Sequence, residues 1–160
     1  RGYFFESFRK KLLIDKGINY EFLQDNISKS KKNTIRGLHY QTGKFAQGKL
    51  CQVLCGRVLD VAVDIRFGSP TFGKYVATEL SEKNHDLIWI PPGFAHGFSV
   101  LSDDAVFHYK CTNYYSKDDE RAILFNDTTL NIDWNVTAPL VSAKDLEAAQ
   151  FKNIQKVFTF

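Results

Sequence analysis

The chain has 160 residues, 44% of them hydrophobic, which can bury one substantial core but is too short for two ordinary domains. Its 21 basic and 18 acidic residues give a net charge of +3 and are mixed along the chain, so there is no clustered basic stripe for nucleic acid. A small anionic ligand fits that mild excess better, and no apolar run approaches the roughly eighteen residues of a membrane span.

The first residues lack the basic, apolar and small-residue order of a signal peptide. The chain contains no Met. It begins at Arg1-Gly2-Tyr3-Phe4-Phe5-Glu6, already like the inside of a structural element, which suggests native residues upstream of Arg1. Cys51, Cys55 and Cys111 are odd in number and hold no C-x-x-C pair, which favours reduced thiols in a cytoplasmic protein, most simply as small core residues.

Phe4, Phe5 and Phe8 give Arg1 to Phe8 the character of a strand with no partner close in sequence, as in strands that pair across a dimer. Arg9 to Lys16, ending at Gly17, reads as a short helix with a glycine terminator. Tyr20 to Ser30 alternates loosely and carries Gln24-Asp25-Asn26. The basic segment Lys29 to Asn33 is most simply a solvated turn, with a phosphate-facing loop as the minority reading.

Ile35 to Gln41 reads as a strand whose alternation sends Arg36, Leu38 and Tyr40 to one face and Ile35, Gly37, His39 and Gln41 to the other. Lys49 opens the next apolar run, so an antiparallel neighbour would aim it into the same space as His39. Leu50 to Leu54, Cys55-Gly56-Arg57 and Val58 to Ile65 read as a hairpin with Gly56 in its turn. A loop over Gly68 to Gly73 leads to a strand over Lys74 to Leu80. Leu87 to Ile90 runs into Pro91-Pro92-Gly93, His96 to Leu101 starts another strand, and Ala105 to Tyr115 alternates again, with Phe107, Tyr109 and Cys111 on one face. Ser142 to Gln150 reads as a short helix with Ser142 as N-cap. Strands at roughly 8 to 12 residue spacing predict an all-β antiparallel sandwich or barrel in a single domain, residues 1–160, with short peripheral helices, one of them near the C-terminus.

His39, Lys49, His96, Tyr109 and Asp145 are the candidates for chemistry. Each has an ordinary alternative: a hydrogen-bonded strand histidine, a surface lysine, a core tyrosine, an acid at a helix terminus. Their concentration on the inward faces of neighbouring strands raises the functional reading, because a sandwich interior disfavours unpartnered polar groups.

These residues stand within Arg1-Gly2 with Phe5-Glu6-Ser7-Phe8, Gln24-Asp25-Asn26, Arg36-Gly37-Leu38-His39-Tyr40-Gln41, Gln47-Gly48-Lys49-Leu50, Asp60 to Arg66 with Gly68 to Gly73, Trp89 to Phe98, and Tyr109-Lys110. In that order the motifs resemble the dTDP-4-dehydrorhamnose 3,5-epimerases of nucleotide-sugar biosynthesis, from Arg1 to about Asp145. The resemblance implies a cupin-type jelly roll and an epimerase acting on a dTDP-linked 4-keto-6-deoxy sugar. It makes His39 the general base beside the C4 ketone, Asp145 its partner, Lys49 the enolate stabiliser and Tyr109 the proton donor from the opposite sugar face. Arg1, Phe4, Glu6, Gln24, Asn26 and Arg36 would engage the nucleotide diphosphate, and Asp60 and His96 would line the pocket. The first strand would be exchanged in a homodimer, bringing Phe4 or Phe5 onto the base from the partner. Beyond Asp145 the family's alanine-proline is replaced by Leu146-Glu147-Ala148-Ala149.

Cupins commonly bind metal through H-x-H with a following glutamate and a later P-x-G-x-x-H. Pro91, Gly93 and His96 satisfy the later half, but Gln41 stands where the second histidine belongs, and His39 and His96 alone make an incomplete set. A site without metal or cofactor is expected. A one-carbon epimerase, an epimerase of another nucleotide-linked ketosugar, and a sugar-binding module without turnover stay open as alternatives.

Overall fold

A computed structural model describes residues 1–160. Nine strands form two antiparallel sheets: β1 (Gln24–Lys31), β2 (Ile35–Gln41), β3 (Lys49–Cys55), β4 (Arg57–Asp64), β5 (Tyr75–Ser81), β6 (Ile88–Ile90), β7 (Phe94–Val100), β8 (Asp104–Cys111) and β9 (Glu120–Ala122). One sheet runs β1-β8-β3-β6 and the other β5-β4-β7-β2-β9. The helices are short, α1 (Lys10–Asp15) and α2 (Ala143–Leu146), and neither is long and apolar enough to cross a membrane.

The apolar positions of both sheets meet at one end of the sandwich, where Cys51, Val53, Val58, Leu80, Phe98, Val100, Ala105 and Phe107 are buried together. A second core lies on the outer face of the five-stranded sheet, beneath the chain that follows β9. There Ile35, Leu38, Tyr40, Val61 and Val63 pack against Ile123, Phe125, Trp134 and Phe151. Trp134 donates its indole N–H to the Phe125 carbonyl at 2.7 Å, so the large ring is buried without an unpaired donor. With one end of the sandwich filled and the outer face covered, the polar inward residues are left to line the other end.

Several expectations are corrected. The segment Leu50 to Ile65 is not a hairpin: β3 pairs with β6 and β8, and β4 pairs with β5 and β7. Gly56 instead makes the corner where the chain changes sheets. Its φ is +78°, and a Cβ there would lie 2.2 Å from the Asp104 carbonyl oxygen. Lys49 and His39 are therefore on facing sheets and not on adjacent strands.

The simple alternation of β2 also fails. Arg36 pairs with Phe98 and His39 with His96, so Gly37 and Leu38 together oppose Gly97. This bulge shifts the parity, placing Ile35 and Leu38 in the outer core while Arg36 and His39 share the inner face. Glycine is required at the bulge, because a Cβ on Gly37 would lie 2.5 Å from the Gly97 Cα.

Arg1 to Phe8 forms no strand. It has no ladder within its own chain, and a lone extended segment gains nothing from one face of apolar side chains. Tyr3 and Phe5 rest against the His85 ring, while Phe4 is 99% exposed. The expected C-terminal helix shortens to α2, because Ala149 leaves the helical path to bridge Ile123. Lys29 and Lys32 pair with Asp104 and Asp103 around the turn after β1, in keeping with the solvated reading. All three cysteines are free thiols.

Candidate active site

The open end of the sandwich holds a cavity of about 270 Å³ lined by Gln24, Asn26, His39, Gln41, Lys49 and Tyr109, among others. It continues into a deeper recess of about 180 Å³ walled by Ser28, Arg36, His96 and Phe98 together with His39, Lys49 and Tyr109. The two walls come from the two sheets. β2 and β7 bring Arg36, His39 and His96; β1, β3 and β8 bring Gln24, Asn26, Ser28, Lys49 and Tyr109. Facing sheets stand about 10 Å apart, the span needed to hold a pyranose ring between them.

His39 is fixed from behind. Residues after the second core return to β2, where Ile35 N–H donates to Leu140 O at 2.9 Å and Leu140 N–H donates to Asn33 O at 2.8 Å. That anchoring carries α2 to the back of the bulge. Ser142 caps the helix by accepting the Asp145 N–H at 3.1 Å. Asp145, 3% exposed, lies 2.6 Å from His39 Nε2, and its second oxygen accepts the Gly37 N–H at 3.4 Å. Burial works to raise the Asp145 pKa, but the hydrogen bonds from His39, Gly37 and Ser142 and the His39 charge leave it below the usual carboxylate range. An ionised Asp145 selects the tautomer with the proton on Nε2, which leaves His39 Nδ1 as the nitrogen free to take a proton.

Tyr109 stands on the opposite wall. Burial, then the neighbouring Cys111 and Cys51, push its phenol up to about 12, so the hydroxyl keeps its proton across the neutral range. Lys49 Nζ lies 5.8 Å from the Tyr109 ring centroid. Together these place a base, an acid and a cation around one cavity.

Gln24 and Asn26 join one another at 3.1 Å on the cavity wall. Arg36 donates through Nε to Ser30 Oγ at 2.9 Å, which orients its guanidinium. His96 Nε2 is 2.9 Å from Asp60 Oδ2, and both residues are buried. Burial, with the nearby charges of Lys49 and His39, leaves the His96 pKa below its ordinary value despite the opposing pull of Asp60. Arg1, Phe4 and Glu6 are not brought to this cavity in the single chain: Glu6 pairs with Arg9 at 2.7 Å on the surface. Sequence reasoning missed Ser28, Gln47, Tyr115 and Glu120. Glu120 opens the short edge strand β9 at the mouth, where it accepts from the Tyr115 hydroxyl at 2.9 Å and from Lys144. Its motif, Asp118-Asp119-Glu120-Arg121, reads as a plain charged turn.

The sequence model of the dTDP-4-dehydrorhamnose 3,5-epimerase family matches residues 1–153. The chain belongs to that family. It is an isomerase that acts on carbohydrate, and its jelly roll is of the cupin type. A dTDP-4-dehydrorhamnose 3,5-epimerase of Shigella flexneri is 55% identical over 152 residues, covering 94% of this chain and 84% of the relative. The crystal structure of a dTDP-6-deoxy-D-glucose-3,5-epimerase from Legionella pneumophila, in complex with dTDP-4-keto-L-rhamnose, superposes with a TM-score of 0.95. It is 48% identical and covers 99% of this chain and 86% of its own. A 3'-monoepimerase from Streptomyces bikiniensis in complex with dTDP-quinovose is more distant, at 29% identity and a TM-score of 0.85, with 92% and 75% covered.

Proposed function

We propose that this chain inverts C3 and C5 of dTDP-4-dehydro-6-deoxy-D-glucose to give dTDP-4-dehydro-L-rhamnose. The observation that carries the reading is the placement of His39 and Tyr109 on opposite walls of one cavity, with Lys49 beside them. His39 removes the proton on the carbon next to the C4 ketone, and the electron pair moves into the enolate. Lys49 Nζ opposes the negative charge on the C4 oxygen, a contribution typically worth about 3 to 4 kcal/mol. Tyr109 then delivers its proton to the other face of the same carbon, and the phenolate and imidazolium recover their resting states through solvent. Inversion needs this pair of faces, since a base acting alone returns the proton to the side it left. C3 and C5 flank the same ketone, so one enolate stabiliser serves both.

Asp145 holds the His39 tautomer and stabilises the imidazolium. Gln24, Asn26 and Arg36 bind the nucleotide diphosphate, with Arg36 offering its terminal nitrogens to phosphate oxygens. His96 lines the sugar end; Asp60, expected on the pocket wall, is instead fully buried behind it, and neither takes a proton-transfer step. Arg1, Phe4 and Glu6 act on the partner's cavity in a homodimer with an exchanged first strand. The exposure of Phe4 and the absence of a ladder for its segment within the chain support this, and solution mass tests it. The free thiols fit a cytoplasmic enzyme.

Turnover in deuterium oxide, followed by NMR of the product, tests the proposal: label is expected at both C3 and C5. Label at one carbon alone identifies a one-carbon epimerase, the reading that the likeness to the 3'-monoepimerase favours. No label at either carbon refutes both.

A further inference from the structure

At and behind His96 the sandwich holds a group of donors that take no proton in the epimerisation. Cys51 Sγ, Asp60 and His96 Nε2 come from β3, β4 and β7, and their donor atoms lie within 4.8 Å of one another. Sγ is 4.0 Å from Nε2, and Nε2 is 2.9 Å from Asp60 Oδ2. All three residues are buried, and Asp60 Oδ1 has no hydrogen-bond partner. An unpaired oxygen on a fully buried carboxylate is costly, and the single imidazole at Oδ2 does not satisfy it.

We propose that Cys51, Asp60 and His96 bind one borderline divalent cation of the Zn²⁺ class, bridging the two sheets. The donor set is one sulfur, one nitrogen and one carboxylate oxygen, the mixture such cations prefer. Around a tetrahedral Zn²⁺ the sulfur and nitrogen ligands stand about 3.5 Å apart, so Sγ and Nε2, 4.0 Å apart, need to approach by about 0.5 Å. Binding releases the Cys51 thiol proton to solvent and shifts the His96 proton from Nε2, where Asp60 holds it, to Nδ1, which frees the Nε2 lone pair for the cation. Thiolate and carboxylate then supply two negative charges against the cation's two positive ones, which offsets the repulsion from Lys49 and His39 nearby. The cation also gives Asp60 Oδ1 the partner it lacks. Because β3 belongs to one sheet and β4 and β7 to the other, occupancy ties the sandwich together. The expectation of a metal-free site rested on Gln41 in place of the second histidine, the lack of a following glutamate, the incomplete pair His39 and His96, and the family resemblance; it did not pair His96 with Cys51. The bound cation is a structural tie, and turnover does not require it.

The test is titration of Co²⁺, then Zn²⁺, into the chelator-treated protein in a thiol-free reductant, with Cys51→Val and Cys51→Ser in parallel. Wild type is expected to develop a thiolate-to-cobalt charge-transfer band at one equivalent and to melt at a higher temperature with Zn²⁺. Both variants are expected to lose the band and the Zn²⁺-dependent rise while retaining epimerase turnover, which verifies their folding. No band in wild type, a band retained in Cys51→Val through Cys55 or Cys111, or a wild-type melting temperature indifferent to Zn²⁺ overturns the proposal. Each readout is independent of the sugar the enzyme turns over.

Discussion

Replacing Asp145 by Asn removes a buried negative charge while keeping the side chain's size. The carboxylate lies 2.6 Å from His39 Nε2 and also accepts from Gly37, so an amide can fill the space and accept one of these bonds. It cannot supply the charge that favours imidazolium. A hydrogen bond to a charged group contributes about 3 kcal/mol at the upper end, which at 1.36 kcal/mol per decade is a loss of about 10²-fold in kcat. Presenting the wrong tautomer deepens the loss, toward about 10⁴-fold in the analogous serine-protease substitution. The variant's kcat and KM would be measured with the dTDP-linked ketosugar, alongside deuterium uptake at C3 and C5. KM should stay within about threefold of wild type, because the nucleotide contacts are untouched. The pH dependence supplies a second check. The folded Asp145 titrates below its ordinary value, so its stabilising contribution is full above the ordinary carboxylate pKa and disappears as pH falls through the lowered folded value. The Asp145→Asn variant should show no such acid loss. A kcat within about threefold of wild type would remove Asp145 from the mechanism.

Tyr109→Phe should abolish product formation while deuterium still exchanges into substrate, seen by NMR of recovered starting material; unimpaired inversion would reassign the acid. Lys49→Met should lower kcat by about 10² to 10³ with nucleotide affinity retained, measured by steady-state kinetics and calorimetric dTDP binding. Gly37→Ala should cost about 3 kcal/mol or more of stability, read as a fall in melting temperature, since its Cβ collides with the Gly97 backbone. The raised Tyr109 phenol contributes stability that is full below its ordinary pKa of 10.0. That contribution is lost as pH rises toward about 12, and Tyr109→Phe should flatten the alkaline part of the stability curve.

Period-two patterning made most strands legible, including the inward set Phe107, Tyr109 and Cys111 on β8. Local pattern does not say which sheet a strand joins. Cys55-Gly56-Arg57 is as good a hairpin signal as a corner, and only the pairing of β4 with β7 decides. The bulge at Gly37 was equally silent, because its cause is the close approach of Gly97, sixty residues away in the chain. His39, Lys49 and Tyr109 were found because polar groups on apolar strands stand out. Glu120 and Ser28 did not, since one sits in a charged turn and the other is a small hydroxyl in a polar strand. Arg1 to Phe8 kept its strand-like composition but has no neighbour within the chain to realise it.

The extra residue in β2 has a consequence for how this enzyme can change over generations. Dropping either residue would restore regular pairing with β7 and leave Arg36 and His39 facing the cavity, but loss of Gly37 takes away the backbone N–H that holds Asp145, and loss of Leu38 empties a fully buried position of the outer core. Substrate preference can drift through point changes on the cavity walls, whereas the residue count of this one strand admits no gain or loss.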